Sequence, residues 1–503
     1  MSSLWSAKLL TSNGAGYPLD IGRSISIQEL DQQRDGRERV VVLGSGWAGF
    51  TLSRELDTRK FQPVVVSPRS YFVFTPLLAS TSTGTLEFRT ALEPIRSRRA
   101  KAQFFQGWAD AVDLEKKTLS IEEAVEDPMQ QSDMTSAKTK DAPKKKGKMF
   151  SMSYDKLIIS VGCYSQTFGT PGVKEHAYFL KDISDARKIR NRLLSLFETA
   201  ALPTTSLETK KQLLNLAVVG GGPTGIEWSA EFHDLIAEDM AKLYPDLAKL
   251  AKITVYDVAP TVLSMFDEKL ARYAMKTFKR QGIEILTSHK VKSLRPGPPG
   301  ERSAHQSDDG PPTTTPYTLD TQEDGEVAVG MCVWSTGLAV NPFIEKALAG
   351  HVKQHDRSHG ILTNDRLRVK RSDDSIMSDV YALGDCAVLE GSSYPATAQV
   401  ANQKARWLAK RLNKGDIEAK GFTYKDLGVM AYVGNWNAIV QTNGTGDISG
   451  RLAWLIWRGA YLAKSAGKLF VRARRQSLLK QPHSRSRTRR LEISEESTPD
   501  KAG

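Results

Sequence analysis

Two stretches, "VVLGSGWAGF" (residues 41–50) and "AVVGGGPTGI" (residues 217–226), each set a GxGxxG directly after a run of β-branched residues. The chemistry of that spacing is phosphate binding. In the first copy Gly44 permits the tight turn, Gly46 lets backbone N–H groups approach a pyrophosphate, and Gly49 lets helix pack on strand. Gly220, Gly222 and Gly225 take the same parts in the second copy. The helix that follows each loop offers unpaired N–H groups and its positive dipole end to the phosphates. A lone GxGxxG is a weak signal, because a glycine-rich turn without a ligand looks the same. Here both copies have the required context: "RVVVL" and "LNLAVV" read as buried parallel strands, "AGFTLSRELD" and "IEWSAEFHDLIAEDM" as helices.

The two units differ in what they hold. The strand after the second, "KITVYDV", ends in Asp257. A carboxylate there accepts hydrogen bonds from an adenosine ribose and repels a 2′-phosphate, so this unit is predicted to prefer NADH to NADPH. Asp257 falls farther along than the usual ~20 residues because a long helix intervenes; a solvated strand-end Asp is the alternative. The first unit has "VVVSPRSY" at the matching place, with Ser67 and Arg69 and no acid. Late in the chain "VYALGDCAV" sets Asp385 after a strand and a glycine, where an Asp reaches the FAD ribityl chain in flavoproteins built from two such units. A plain turn Asp is the competing reading. Strand-end glycines, Gly162 on the FAD side and Gly337 on the NADH side, mark where the chain crosses between the units. The fold class predicted is therefore α/β, with two Rossmann-like dinucleotide-binding domains. FAD and NADH face each other so that hydride can pass between them.

The elements that must position these residues fit the rest of the composition. A chain of 503 residues exceeds one ordinary core, and 40% hydrophobic with 25% charged residues is globular. No apolar run reaches the ~18 residues of a membrane span. The net charge is +13, and twelve Lys or Arg with no Asp or Glu lie between residues 451 and 490, so the remainder is close to neutral. A chain basic only at its tail points to an anionic surface and not to nucleic acid. Cys163, Cys332 and Cys386 form no CxxC, which excludes zinc-ribbon spacing and a reductase dithiol; they are expected to pack as small apolar residues. No metal site is expected: "DTQEDGE" has Gln322 and Met331 where a calcium loop needs ligands.

The expected organisation is an N-terminal extension over 1–36, weakly like a mitochondrial presequence, and a first part of the FAD-binding domain over 37–180. The NADH-binding domain follows over 181–335 and the second FAD-binding part over 336–445. Polar, Pro/Gly-rich insertions are expected as mobile loops at 121–149 and 293–326, and a disordered tail at 479–503.

With "GSGWAG", "VVVSPRSYFVFTPLL", "VGGGPTGIE", "APTVLSMFDEKL", "YALGDCA" and "PATAQVANQKARWLA" in view, the sequence resembles the type II NADH:quinone oxidoreductases of mitochondria, non-pumping and single-chain. The likeness runs from about Val40 to about Leu478 and is nearest the fungal rotenone-insensitive branch. It implies that Ser67, Pro68 and Arg69 line the FAD adenosine side and that Thr75 and Pro76 lie beside the isoalloxazine. Glu227 would lie near the nicotinamide; the alternative is a first-turn carboxylate that suits the helix dipole. "TAQVANQKA" looks like the family's flavin-and-quinone helix. Its N-terminus at Ala398 would turn N–H groups toward the flavin edge where charge builds on reduction. Gln399 and Gln403, four apart, would carry amides toward the quinone, unless they merely cap a solvated helix face. Members often have His where this chain has Asn402. The resemblance implies non-covalent FAD, NADH and ubiquinone, at the mitochondrial inner membrane as a peripheral protein. No His or Cys stands in a recognisable flavinylation context.

Residues 446–478 are expected as an amphipathic membrane-binding helix: "GRLAWLIWRGAYLAKSAGKLFVRARRQ" combines Trp454, Trp457 and aliphatic residues with Lys and Arg, too short to span a bilayer. A core helix, or one that pairs two copies in a homodimer, is the alternative. Where family members continue into a second amphipathic stretch, this chain runs to "PHSRSRTRR" and an acidic end. Two other functions compete. A sulfide:quinone reductase would use Cys163 and Cys386 but has no use for an NAD unit ending in Asp257. A signalling flavoprotein of the apoptosis-inducing kind would work through its basic tail.

Overall fold

The computed structural model describes residues 25–97, 100–124, 147–300, 315–392, 394–442 and 446–464. The expected presequence before residue 25, the disordered tail at 479–503, the membrane helix beyond residue 464, most of the expected mobile loop at 121–149 and residues 301–314 of the one at 293–326 lie outside these residues.

Strand Glu38–Leu43 is buried from its second residue on, and Phe61–Ser67 is buried throughout. Strands with two buried faces must be covered on both sides, which suits the middle of a parallel sheet. They sit there: Ile376–Ala382, Lys156–Ile159, Glu38–Leu43, Phe61–Ser67 and Gln103–Asp113 run parallel and adjacent. Antiparallel strands Thr118–Glu123 and Met149–Ser153 extend one edge; Arg368–Lys370, Ile361–Thr363 and Ala387–Leu389 extend the other, giving ten strands. The sheet is thus made from two segments, one ending at Ile159 and the other beginning at Ile361.

Between those segments the chain builds a second sheet, all parallel, in the order Tyr178–Phe179, Met331–Trp334, Asn215–Val219, Lys252–Asp257, Glu284–Thr287. A third layer follows the ten-stranded sheet: the antiparallel meander Val429–Gly434, Asn437–Gln441, Ile448–Gly450, which runs directly into helix Arg451–Lys464. The fold is the mixed α/β architecture expected of two dinucleotide units.

Three expectations need correction. Residues 293–296 and 317–326, read as part of a mobile loop over 293–326, belong to a three-stranded antiparallel sheet of Val291–Pro296, Tyr317–Thr321 and Gly325–Val329. Residues 121–123, assigned to the other loop, are the end of Thr118–Glu123, and residue 149 opens the next strand. Composition marked the insertions, but cross-strand pairing carries order into their flanks. Finally, the extension over 1–36 contains helix Ile27–Gln32, closed by a capping box between Ser26 and Glu29. Leu30 is buried, its carbonyl accepts from Gln62 Nε2 at 2.7 Å, and Asp31 pairs with buried Arg39 at 2.6 Å. This helix is part of the body.

Candidate active site

Both glycine loops have the geometry that phosphate binding needs. Gly44 has φ +102°, and a Cβ there would lie 2.4 Å from Ser160 O; one at Gly49 would lie 2.0 Å from Gly44 O. Only glycine lets that turn close. Above Gly46, by contrast, nothing lies within 4 Å. Gly46 N-caps helix Trp47–Glu55 without a side-chain cap bond, so the first N–H groups stay available to a ligand. The second loop repeats this: Gly220 at φ +112°, Gly225 tight against Gly220 O, open space at Gly222, and an uncapped helix Pro223–Leu235.

A cleft of about 530 Å³ runs from the first loop across to the second unit. Gly44, Gly46, Ser67, Pro68, Arg69, Thr75, Pro76, Gly162, Asp385, Ala398 and Glu227 all line it. The structure therefore gathers residues from five separate parts of the chain. Ser67 Oγ meets Ser45 Oγ at 2.9 Å and accepts from Arg69 N–H at 3.2 Å, which pins the turn after the second strand. The Arg69 guanidinium is held by buried Asp182 at 2.7 Å. Thr75 opens a short 3-10 turn and accepts from Trp47 Nε1–H at 3.0 Å, tying it to the glycine loop. Gly162, at φ +70°, and Gly337, at φ +74°, flank the two-stranded ribbon Cys163–Ser165/Leu338–Val340 by which the chain passes between the units. The residues fit a flavin dinucleotide: open space over the phosphate loop, no acid at the end of the second strand, and Asp385 at the far wall.

Asp257 reaches the second loop despite its late position. Helix Pro223–Leu235 is prolonged by the wider turn Ile236–Met240 and two short helices, which accounts for the extra residues. Its carboxylate accepts from the N–H groups of Gly221 and, at 2.7 Å, of Ala259. It thus stands at the loop itself and does not dangle into solvent.

Helix Ala398–Lys414 is capped by Thr397, whose hydroxyl accepts from Val400 N–H at 3.3 Å, and its first residue faces the cleft. Gln399 and Gln403 share one face, as their spacing requires, but neither lines the cleft. Gln399 Oε1 accepts from Tyr424 OH at 2.6 Å and Leu427 N–H at 2.9 Å, and its Nε2 donates to Gly428 O at 3.1 Å. Gln403 exchanges two bonds with the Lys425 backbone, at 2.8 and 3.0 Å. The amides clamp the connector 424–428 in place of pointing at the cleft. Asn402 donates to Thr51 Oγ1 at 2.8 Å, locking this helix to the first glycine helix.

Glu227 lies at the cleft wall, where burial pushes its carboxyl up to about 8 against hydrogen bonds from Tyr432 N–H and Trp457 Nε1–H. Cys163 corrects the reading of all three cysteines as packing residues. Cys332 and Cys386 are fully buried, but Cys163 lines the cleft between Lys181 Nζ at 2.9 Å and Asp385 Oδ2 at 3.2 Å. Burial first, then Asp385, push its thiol up to about 12, with Lys181 opposing. A thiol raised in this way disfavours the thiolate that a nucleophile needs. Trp47, inside the first glycine motif but given no part of its own, also lines the cleft, as do Lys181 and Met430, which carried no motif; only nearness to a strand end could have flagged those two.

Residues 38–405 match the Pyridine nucleotide-disulphide oxidoreductase family. The chain is similar to a "Probable NADH dehydrogenase" of Dictyostelium discoideum, 34% identical over 470 residues, which is 91% of this chain and 93% of the relative. It is similar also to "External NADH-ubiquinone oxidoreductase 2, mitochondrial" of Saccharomyces cerevisiae, 35% identical over 465 residues, 85% of this chain and 77% of the relative. In fold it resembles NDH2 from Plasmodium falciparum, solved in complex with NADH, with a TM-score of 0.74 at 24% identity over 88% of this chain and 98% of that one. The cleft between two glycine loops and these likenesses agree: the chain belongs to the pyridine nucleotide-disulphide oxidoreductases and, within them, to the single-chain alternative NADH:ubiquinone oxidoreductases.

Proposed function

We propose that the protein oxidises NADH and reduces ubiquinone through non-covalently bound FAD, without pumping protons, as a peripheral protein of the mitochondrial inner membrane. The observation that carries this reading is the single cleft that joins an acid-free first dinucleotide loop to a second loop with Asp257 at its rim. A bound FAD supplies the relay between a two-electron donor and a quinone. The chain's own residues bind, orient and exclude. The loop at Gly44–Gly49 holds the FAD pyrophosphate, Ser67–Arg69 the adenosine side, and Asp385 the ribityl side. Thr75 and Pro76 set the face of the flavin, and the N-terminus at Ala398 stabilises negative charge at its edge. The second loop holds NADH with its nicotinamide end toward Glu227, and Gly337 lets the crossing strand pass close by. Gln399 and Gln403 act on the quinone end indirectly, by holding the 424–428 connector. The redox-cysteine alternative finds no support, since Cys386 is buried and Cys163 is held between Lys181 and Asp385 with its thiol pushed up by burial.

Two features support attachment at a membrane surface. No helix among the described residues is long and apolar enough to cross a bilayer. Helix Arg451–Lys464 turns Leu452 and Leu455, each about 60% exposed, away from the body. Steady-state assays of the purified holoprotein test the reading. NADH should be oxidised with a short-tailed ubiquinone, and kcat/KM for NADH should exceed that for NADPH by roughly tenfold or more, the scale of one repelled phosphate. Asp257→Asn should narrow that gap. Equal use of both nucleotides by the wild type, or no quinone reduction, would refute it.

A further inference from the structure

Glu227 belongs to the helix after the second glycine loop, yet its carboxylate is fixed from elsewhere. Oε1 accepts from Tyr432 N–H at 3.1 Å and from Trp457 Nε1–H at 3.3 Å. Tyr432 lies in strand Val429–Gly434 and Trp457 in helix Arg451–Lys464, both some two hundred residues downstream. The Trp457 ring is 5% exposed and stacks on Tyr432, with centroids 5.5 Å apart and planes 30° from parallel. Ala453 and Trp457, four apart, form the buried stripe of this helix, while Leu452, Leu455 and Ile456 form its exposed apolar side. One helix thus has a cleft carboxylate against its inner face and uncovered aliphatic groups on its outer face.

We propose that Trp457 is a positioning residue for Glu227, through which the C-terminal helix sets the stance of that carboxylate in the cleft. The inference rests on the reading of Glu227 as a nicotinamide-side residue. An indole N–H is a donor only, carried on a stiff ring, so it orders a carboxylate without competing for a proton. At 3.3 Å the bond is at the long end of the range, and a shift of the helix by a few tenths of an ångström breaks it. Lipid engagement of the outer face would be felt at the nicotinamide end of the cleft in this way. The other titratable or charged groups near Glu227 are Glu231 on its own helix, Tyr432 on the strand, Asp234 that holds the Tyr432 hydroxyl, and Arg458 over the Trp454 ring.

The test uses the full-length holoprotein and Trp457→Phe, which keeps the stacked ring and deletes the N–H. Infrared difference spectra follow the protonated carboxyl band of Glu227, identified by its loss in Glu227→Gln. Stopped-flow follows flavin reduction by NADH against pH. In Trp457→Phe the flavin content should stay near wild type, while the unfolding midpoint falls modestly because the smaller ring leaves a cavity. The Glu227 midpoint should rise by roughly half to one pH unit, the scale of one lost hydrogen bond to the charged form, and the kinetic profile should move with it. Adding Trp457→Phe to Glu227→Gln should not change the kinetic profile further. An unmoved midpoint, or a kinetic effect of full size in the Glu227→Gln background, overturns the positioning role. If Glu227→Gln leaves the pH profile of the NADH step untouched, the nicotinamide reading of Glu227 fails, and the infrared midpoint still decides whether Trp457 positions it.

Discussion

Glu231, one turn beyond Glu227, shows what a single buried carboxyl does to this protein. It is 5% exposed and accepts from the hydroxyls of Ser80, at 2.5 Å, and Thr85, at 2.7 Å. Burial nonetheless pushes it up to about 7, because two hydroxyls offset only part of the lost hydration. A carboxyl raised in the folded state binds its proton more tightly there than in the unfolded chain. Its stabilisation is therefore complete below the ordinary carboxylate range and is lost as pH rises through about 7. Glu231→Gln removes that loss. Denaturant unfolding should show the variant gaining on the wild type by on the order of 1–2 kcal/mol between about pH 5 and about pH 9. A constant difference across that range would mean that Glu231 stays charged in the fold. Asp257 is held by backbone instead: the N–H groups of Gly221 and Ala259 fix its carboxylate at the second loop, so the part proposed for it in nucleotide choice is one of placement.

At the scale of elements, helix Ala398–Lys414 is the part of the site whose sequence signal and structure differ most. Spacing placed Gln399 and Gln403 on one face, and they are; the partners of their amides come from a connector twenty-odd residues later, which no local pattern encodes. Gln403→Ala should loosen residues 424–428 and cost about 1–2 kcal/mol, the scale of two hydrogen bonds left unmade. Hydrogen exchange should quicken there while flavin reduction by NADH in a single turnover is spared. Slower flavin reduction with unchanged exchange would place the amide at the cofactor after all. The contrast with the glycine loops is physical. A Cβ at Gly44 or Gly49 would overlap backbone within 2.4 Å, so only one residue type serves and the pattern is legible at sight. Asp257 was legible from strand-end position alone. Trp457 and Tyr432 were not, because their value lies in reaching a carboxylate across the fold, and the strands around residues 293 and 326 were hidden by the turn-rich segment they enclose.

For the whole molecule, the C-terminal helix belongs to two surfaces at once. Its buried stripe is core, so cutting the chain after Ser449 would strip Trp457 and Ala453 from the body and confuse instability with loss of membrane binding. Replacing Leu452, Leu455 and Ile456 by Ser touches only the exposed side, at 61%, 60% and 37% exposure. That variant should keep its flavin and its turnover with short-tailed quinones but sediment less with anionic vesicles, by on the order of 1 kcal/mol for each aliphatic group withdrawn from lipid. Unchanged sedimentation would move the attachment surface elsewhere. The ten-stranded sheet carries a different consequence, one of manufacture. Its centre needs strand Ile376–Ala382 beside strand Lys156–Ile159, and the loop that ends in Asp385 follows directly. A chain emerging from the ribosome, or threading through a translocation pore, has by then already released every strand of the second sheet. That sheet can close first, as an island, while the earlier strands wait with one edge bare. The Asp385 side of the cleft comes into being only when some 398 residues have been delivered, so a half-made chain has no complete flavin site to fill.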